Sequence, residues 1–317
     1  MKYSRGISAT RSTAYLTMVW CAIGAGVYAC TMWRTWPIFL AASVVISTRQ
    51  SALLIVEHEC WHYNMFRTRW LNNVVGSLCS GWAVGSTYFI GRKRHLDHHR
   101  LLGTPNDPDL KLHCVAGKET AQRARRHFLG LLFGGQLIRV LFHEPESMKL
   151  EYKNEEAART AARQLRTDLA GLIVTQSLLL CSFTLVGAWW WYFILWLAPL
   201  VTLTTFANGA RGLVEHYSFQ GDDVGEPGRL YSVQASWPER AFFAPMNFNY
   251  HAEHHLNPAV SAFRLPSLRQ PMLEAGRLRL RHGYLRTLRR LLLPGRSRED
   301  TYTRENRSQQ NSETGHS

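Results

Sequence analysis

Paired cysteines are missing from this chain. Cys21, Cys30, Cys60, Cys79, Cys114 and Cys181 are its six, and no two stand at CxxC spacing. That speaks against a zinc ribbon and against a disulfide framework. Buried free thiols facing a reducing compartment are the plainer reading. Acidic residues are scarce, 23 against 37 Lys and Arg, which leaves a net charge of +14 and a pI of about 9.9. Such a balance suits nucleic acid, an anionic lipid surface or an acidic protein. No small-residue cleavage site follows the basic start MKYSRGISATR. A retained membrane anchor is expected there instead of a cleaved signal peptide.

What the chain has is segregation. Its mean hydropathy is only −0.19, but that average mixes long apolar runs with very basic stretches. Residues 14–33 carry no charge, and their length suffices to cross a bilayer core of roughly 30 Å. A second run, 37–56, contains Arg49 and Gln50, and a charge at that depth must face protein or reach the interface. Runs 169–187 and 189–208 follow each other directly, with Trp189, Trp190 and Trp191 at the turn, as in an aromatic belt, and Pro199 as a predicted kink. The piece 71–91 holds several Gly and Ser. It reads as a buried or re-entrant helix, because a full span would part His62 from His95.

The expected fold is an all-α integral membrane protein with about four spans in two hairpins. The positive-inside rule puts the N-terminus, residues 57–168 and the C-terminal third in the cytoplasm. There they would form a helical cap, with the protein in an inner or cell membrane. Residues 1–270 are expected to be the membrane domain. Residues 271–298 read as a basic interfacial tail with an amphipathic helix at 284–293, and 299–317 as disordered. The apolar runs favour lipid contact over nucleic acid, and no nucleic-acid partner is expected.

Nine of the fourteen histidines form short groups: His58 and His62 in HECWH; His95, His98 and His99 in HLDHH; His216 in RGLVEH; His251, His254 and His255 in HAEHH. Within each group the spacing is i+3 or i+4, apart from the lone His216, and on a helix those positions share a face. Solvated basic faces or helix ends are the bland alternative, but two separate HxxHH clusters are hard to obtain by chance. HECWH alone also matches the zinc-peptidase pattern, with Glu59 as base. That reading leaves both HxxHH clusters unexplained. Nine imidazoles exceed the four sites of one tetrahedral zinc and suit two metals with open positions. Glu59, Asp97, Glu215 and Glu253 adjoin these histidines, either as carboxylates that orient the imidazoles or as solvated charges. Asn247 could hold a metal-bound water. His113, His127, His143, His282 and His316 lack such spacing and read as surface residues.

HECWH, HLDHH and NYHAEHH, separated by apolar hairpins, resemble the histidine boxes of the membrane fatty acid desaturase and hydroxylase superfamily. The resemblance covers about residues 40–270. NFNYHAEHHLNP followed by RLPSLR is most similar to sphingolipid-type desaturases and carotenoid ketolases. It implies that the nine histidines bind two iron ions on the cytoplasmic side, with His216 as an extra ligand, Asn247 acting through water, and no catalytic side chains beyond the ligands. It further implies O2 as co-substrate and an oxidised unactivated C–H bond, giving an alkene, or an alcohol or ketone in the hydroxylase and ketolase branch. Members act on acyl-lipids, sphingolipids, carotenoids, alkanes and small amino-acid-derived compounds such as the rhizobitoxine precursor. No cytochrome domain and no HPGG haem signature occur here, so a separate donor, a ferredoxin or cytochrome with its reductase, is implied. A non-enzymatic metal- or lipid-binding membrane protein is the remote alternative.

Overall fold

The computed structural model describes residues 4–102, 104, 106–109, 120–135, 154–216 and 230–293. Four helices are long and apolar enough to cross a membrane: α1 (Ala9–Trp33), α2 (Trp36–Trp61), α6 (Glu155–Val186) and α7 (Trp189–His216). All four extend beyond the apolar runs that mark them, and the extensions are polar. α2 continues into Glu57, His58 and Glu59, α7 into Glu215 and His216, and α6 begins fourteen residues ahead of its run, where Asn154 caps it by accepting from Ala157 N–H at 2.9 Å. Shorter helices fill the remainder: α3 (Arg69–Gly76), α4 (Tyr88–Leu101), α5 (Thr120–Leu132), α8 (Trp237–Phe242), α9 (His251–Leu256), α10 (Arg269–Glu274) and α11 (Tyr284–Leu292). The only strands among the described residues are a four-residue parallel pair, β1 (Tyr231–Gln234) and β2 (Arg279–His282), with Tyr231 opposite Arg279.

Two residues separate α1 from α2. Gly26 faces Ala42 and Ile46 across the hairpin. The polar residues of the second run are answered locally. Gln50 donates to the Trp196 carbonyl at 2.8 Å and accepts from the Thr204 hydroxyl at 2.9 Å. Arg49 lies along α1 against the Met18 sulfur and bonds Thr48. Around Pro199 the ladder of α7 widens into π-type turns, Tyr192–Leu197 and Leu200–Thr204, the local remedy for the amide that proline lacks. One core, with Val19, Ile23, Phe39, Ile46, Leu53, Leu195 and Trp196, joins the spans. A second, with Val56, Phe66, Tyr88, Leu213, Phe248, Leu265 and Tyr284, lies where α2 and α7 end. The outer faces of the spans stay apolar and exposed, as at Leu40, Val44, Ile173 and Leu178.

Between α3 and α4 the chain makes a π-type turn (Ser77–Gly81) and a short irregular loop through Trp82, Ala83 and Val84 to Gly85. That loop reaches mid-span residues. Gln176 of α6 donates to the Trp82 and Ala83 carbonyls at 2.6 and 2.9 Å, and the Trp196 indole donates to Ala83 at 3.0 Å. Irregular backbone at such depth is tolerated only when protein satisfies its carbonyls. Gly171 leaves the space on α6 that the Trp82 ring occupies.

Residues past 270 pack against the rest of the fold. Met272, Tyr284 and Leu288 are buried, β2 pairs with β1, and the Tyr284 hydroxyl donates to Glu215 at 2.8 Å. α11 keeps Arg286, Arg289 and Arg290 on its outer side. Of the five described cysteines, all free, Cys30 and Cys60 are buried while Cys21 and Cys181 are exposed on the apolar flanks of α1 and α6. Residues 299–317, Cys114, His113, His143 and His316 lie outside the described residues.

Candidate metal centre

Four helix segments deliver the nine histidines to one place. The last turn of α2 carries His58, with His62 at its end; α4 carries His95, His98 and His99; α7 ends on His216; α9 opens on His251 and holds His254 and His255. The rings sort into two groups. His58, His62, His95, His99 and His254 each offer a ligand atom within 4.8 Å of the others, and so do His98, His216 and His255. His251 joins the second group, its Nε2 2.8 Å from Nε2 of His216 and 2.9 Å from that of His255. The groups touch where the rings of His99 and His255 stack, 4.1 Å between centroids.

The spacing fits ligands that share an ion. Two imidazole nitrogens each about 2.1 Å from one metal lie about 3.0 Å apart at right angles and about 3.4 Å apart at the tetrahedral angle. Nε2 of His62 and His95 are 2.8 Å apart, and those of His99 and His254 are 3.2 Å apart. His58 is buried and neither ring nitrogen meets a hydrogen-bond partner, a costly state unless something else takes the lone pair. Six of the rings are also held neutral. Burial, reinforced by neighbouring imidazoles, pushes His95, His254 and His255 far below the ordinary value, and His251 likewise with His216 and Arg211 beside it. Burial, then the Arg92 charge, brings His62 down to about 3; burial, then His62 and His98, brings His99 down to about 2. Neutral imidazoles keep the lone pairs that a metal needs.

The carboxylates divide by what they touch. Glu59 lies 3.7 Å from His58 Nδ1 and accepts from Ala262 N–H at 2.8 Å. Glu215 lies 3.5 Å from His251 Nδ1. Both face an Nδ1, where a carboxylate can orient an imidazole that ligates through Nε2. Glu253 faces away from the rings and binds Ser232 at 2.6 Å and Arg269 at 3.0 Å, fastening α9 to β1 and α10. Asp97 is a surface charge between Lys93 and Arg100. Asn247 is committed elsewhere: in a left-handed turn (φ 62°), its amide accepts from Arg240 at 3.2 Å and donates to the Ala262 carbonyl.

One carboxylate of this set is not marked by histidine spacing. Asp107, in the loop after α4, accepts from His98 Nδ1 at 2.8 Å, both side chains buried. In the sequence it sits within TPNDPDL, where Pro and Asp signal a turn. The one available hint is its place nine residues beyond His98. From the other end of the chain, the Arg5 guanidinium donates to the Tyr63 carbonyl at 3.0 Å and to the Ala259 carbonyl at 3.2 Å, tying the end of α2 to the segment after α9.

A sequence profile of the fatty acid desaturase family matches residues 34–285, which include all nine histidines. A curated relative, the dihydrorhizobitoxine desaturase of Bradyrhizobium elkanii, is 23% identical over 237 residues. The match covers 73% of this chain and 66% of that protein, so it spans just under two thirds of the relative's length.

Proposed function

This chain belongs to the fatty acid desaturase family, and from that premise we propose that it is an O2-dependent di-iron desaturase of a lipid, a lipid-like compound or a small metabolite of the dihydrorhizobitoxine kind. The observation that carries the reading is the pair of touching imidazole groups, five and four rings, withdrawn wholly or in large part from water. One iron would be held among His58, His62, His95, His99 and His254, the other among His98, His216, His251 and His255. When bound, the irons supply the reduction of O2 and the removal of hydrogen from an unactivated C–H bond.

The balance is CH2–CH2 plus O2, two electrons and two protons, giving CH=CH and two waters. The electrons come from a separate ferredoxin or cytochrome and its reductase, for which the basic surface is suited. The chain's own residues keep the imidazoles in place. Asp107 holds the Nδ1 proton of His98, Glu215 faces that of His251 and Glu59 that of His58. Burial of the rings keeps bulk water off the reacting carbons. The site and both termini are read as cytoplasmic, a reading supported by the basic stretches that follow α2 and precede α6.

Expression of the full chain with a ferredoxin and its reductase, fed lipid extracts and small amino-acid-derived metabolites, tests this by mass spectrometry. Loss of two hydrogens from a fed species is expected. Gain of one oxygen would reassign the chain to hydroxylation. Purified protein carrying a lone zinc and no iron would sink the metal assignment.

A further inference from the structure

α4 brings three of the nine histidines, yet its own N-cap residue, Thr87, makes no side-chain bond to the helix. The amides of its first turn are satisfied from a span far along the chain. Asp168 of α6 is fully buried. Its two carboxylate oxygens accept from Phe89 N–H at 3.0 and 3.3 Å, and one of them from Ile90 N–H at 3.2 Å. The same carboxylate accepts from the Trp82 indole at 2.9 Å. A carboxylate beside an apolar span is expensive unless its oxygens are taken up, and here both are. It also meets the positive end of the α4 dipole.

The consequence for the metal centre is geometric. Metal–ligand distances tolerate about 0.2 Å, whereas one residue of helix rises about 1.5 Å. A slip of α4 by a fraction of one residue therefore carries His95, His98 and His99 off their ligand positions together. His95 and His99 belong to one imidazole group and His98 to the other, so a single anchor sets the register of both. We propose that Asp168 is a positioning residue for the di-metal centre: it caps α4 from within the membrane domain and fixes where its three imidazoles stand. The proposal rests on the reading that these histidines hold metal.

The test uses the full chain in detergent, stripped of metal and titrated with Co(II), whose visible bands report ligand number and geometry. Wild type is expected to take two ions. Asp168→Ala is expected to bind them roughly ten-fold or more weakly, as for loss of a ligand-orienting partner, with shifted bands. Asp168→Asn, which keeps an oxygen acceptor for the amides, restores the band positions. Gln176→Leu removes a neighbouring tie on the same face of α6 that does not reach α4; it is expected to melt lower with unchanged bands. Should the alanine variant fail to fold, Asp168→Glu carries the test, because its extra methylene moves the cap and is expected to shift the bands. Wild-type affinity and bands in Asp168→Ala or in Asp168→Glu would overturn the proposal, as would equal band shifts in Gln176→Leu. A wild-type chain that takes no Co(II) overturns the metal reading itself and this inference with it.

Discussion

Removing the Asp107 carboxylate should weaken one metal position and spare the other. The His98–Asp107 bond is 2.8 Å long, and both side chains are almost entirely withdrawn from water. Asp107 also accepts from Asp109 N–H at 2.9 Å, so its carboxylate is fixed before it meets the imidazole. A hydrogen bond to a charged acceptor contributes about 1.5–3 kcal/mol, and a neutral acceptor about half of that. Asp107→Asn keeps the shape and loses the charge, a cost of about 1 kcal/mol or roughly five-fold in affinity. Asp107→Ala loses the acceptor, a cost of about 2 kcal/mol or roughly thirty-fold. Chelator competition against Co(II) reads both numbers, with the five-histidine group as internal reference. Full retention of both ions in the alanine variant would refute the assignment of Asp107 as the orienting group. Equal weakening of both positions would refute its local character.

Arg269→Ala strips the cation from a fully buried Glu253 and leaves it only the Ser232 hydroxyl. It should cost about 3 kcal/mol, seen as a lower melting point in detergent; an unchanged midpoint would contradict the clasp between α9, β1 and α10. Gly171→Ala drives a methyl into the Trp82 ring and should cost about 1–3 kcal/mol by the same measurement, whereas a neutral effect would mean the ring sits elsewhere. The metal-stripped protein should lose stability as pH falls. His62 and His99 are depressed in the fold to about 3 and about 2 from an ordinary 6.5, so below that value the unfolded chain takes up protons that the folded chain refuses. A melting point that is flat or rising between about pH 7 and about pH 4 would contradict the burial of these rings.

The nine histidines were legible because their order is local. Imidazoles three and four residues apart share a helix face whatever the rest of the chain does, and polar clusters directly after apolar runs place them at membrane ends. The four helices long enough to span were legible from apolar length, with no charge in three of the runs and Arg49 alone in the other. Their full extents were not, since the polar turns that carry His58, Glu215 and His216 continue the same helices past the point where hydrophobicity stops. Partners chosen by tertiary structure left less trace. Asp107 is one Asp among turn-formers until the loop folds under His98. Asp168 stands in a charged helical stretch, and no local pattern couples it to Phe89. Asn247 was singled out by its proximity in sequence to HAEHH; its bonds to Arg240 and the Ala262 carbonyl, made from the left-handed turn at 246–247, left no such trace. The pattern of YLRTLRRLLL does mark an amphipathic helix, but it could not show that Tyr284 and Leu288 face the protein.

The loop at Trp82–Gly85 also constrains how this protein can be made. Its carbonyls are satisfied by Gln176 and Trp196, residues 93 to 113 positions later. When α2 has entered the bilayer, neither partner has been synthesised. The loop must then wait in water or at the headgroups until α6 and α7 arrive, because it has no way to shed its hydration alone. Assembly of the histidine cluster is thereby deferred to a late stage of translation, when Gln176 and Trp196 take up the loop and Asp168 takes up the first turn of α4.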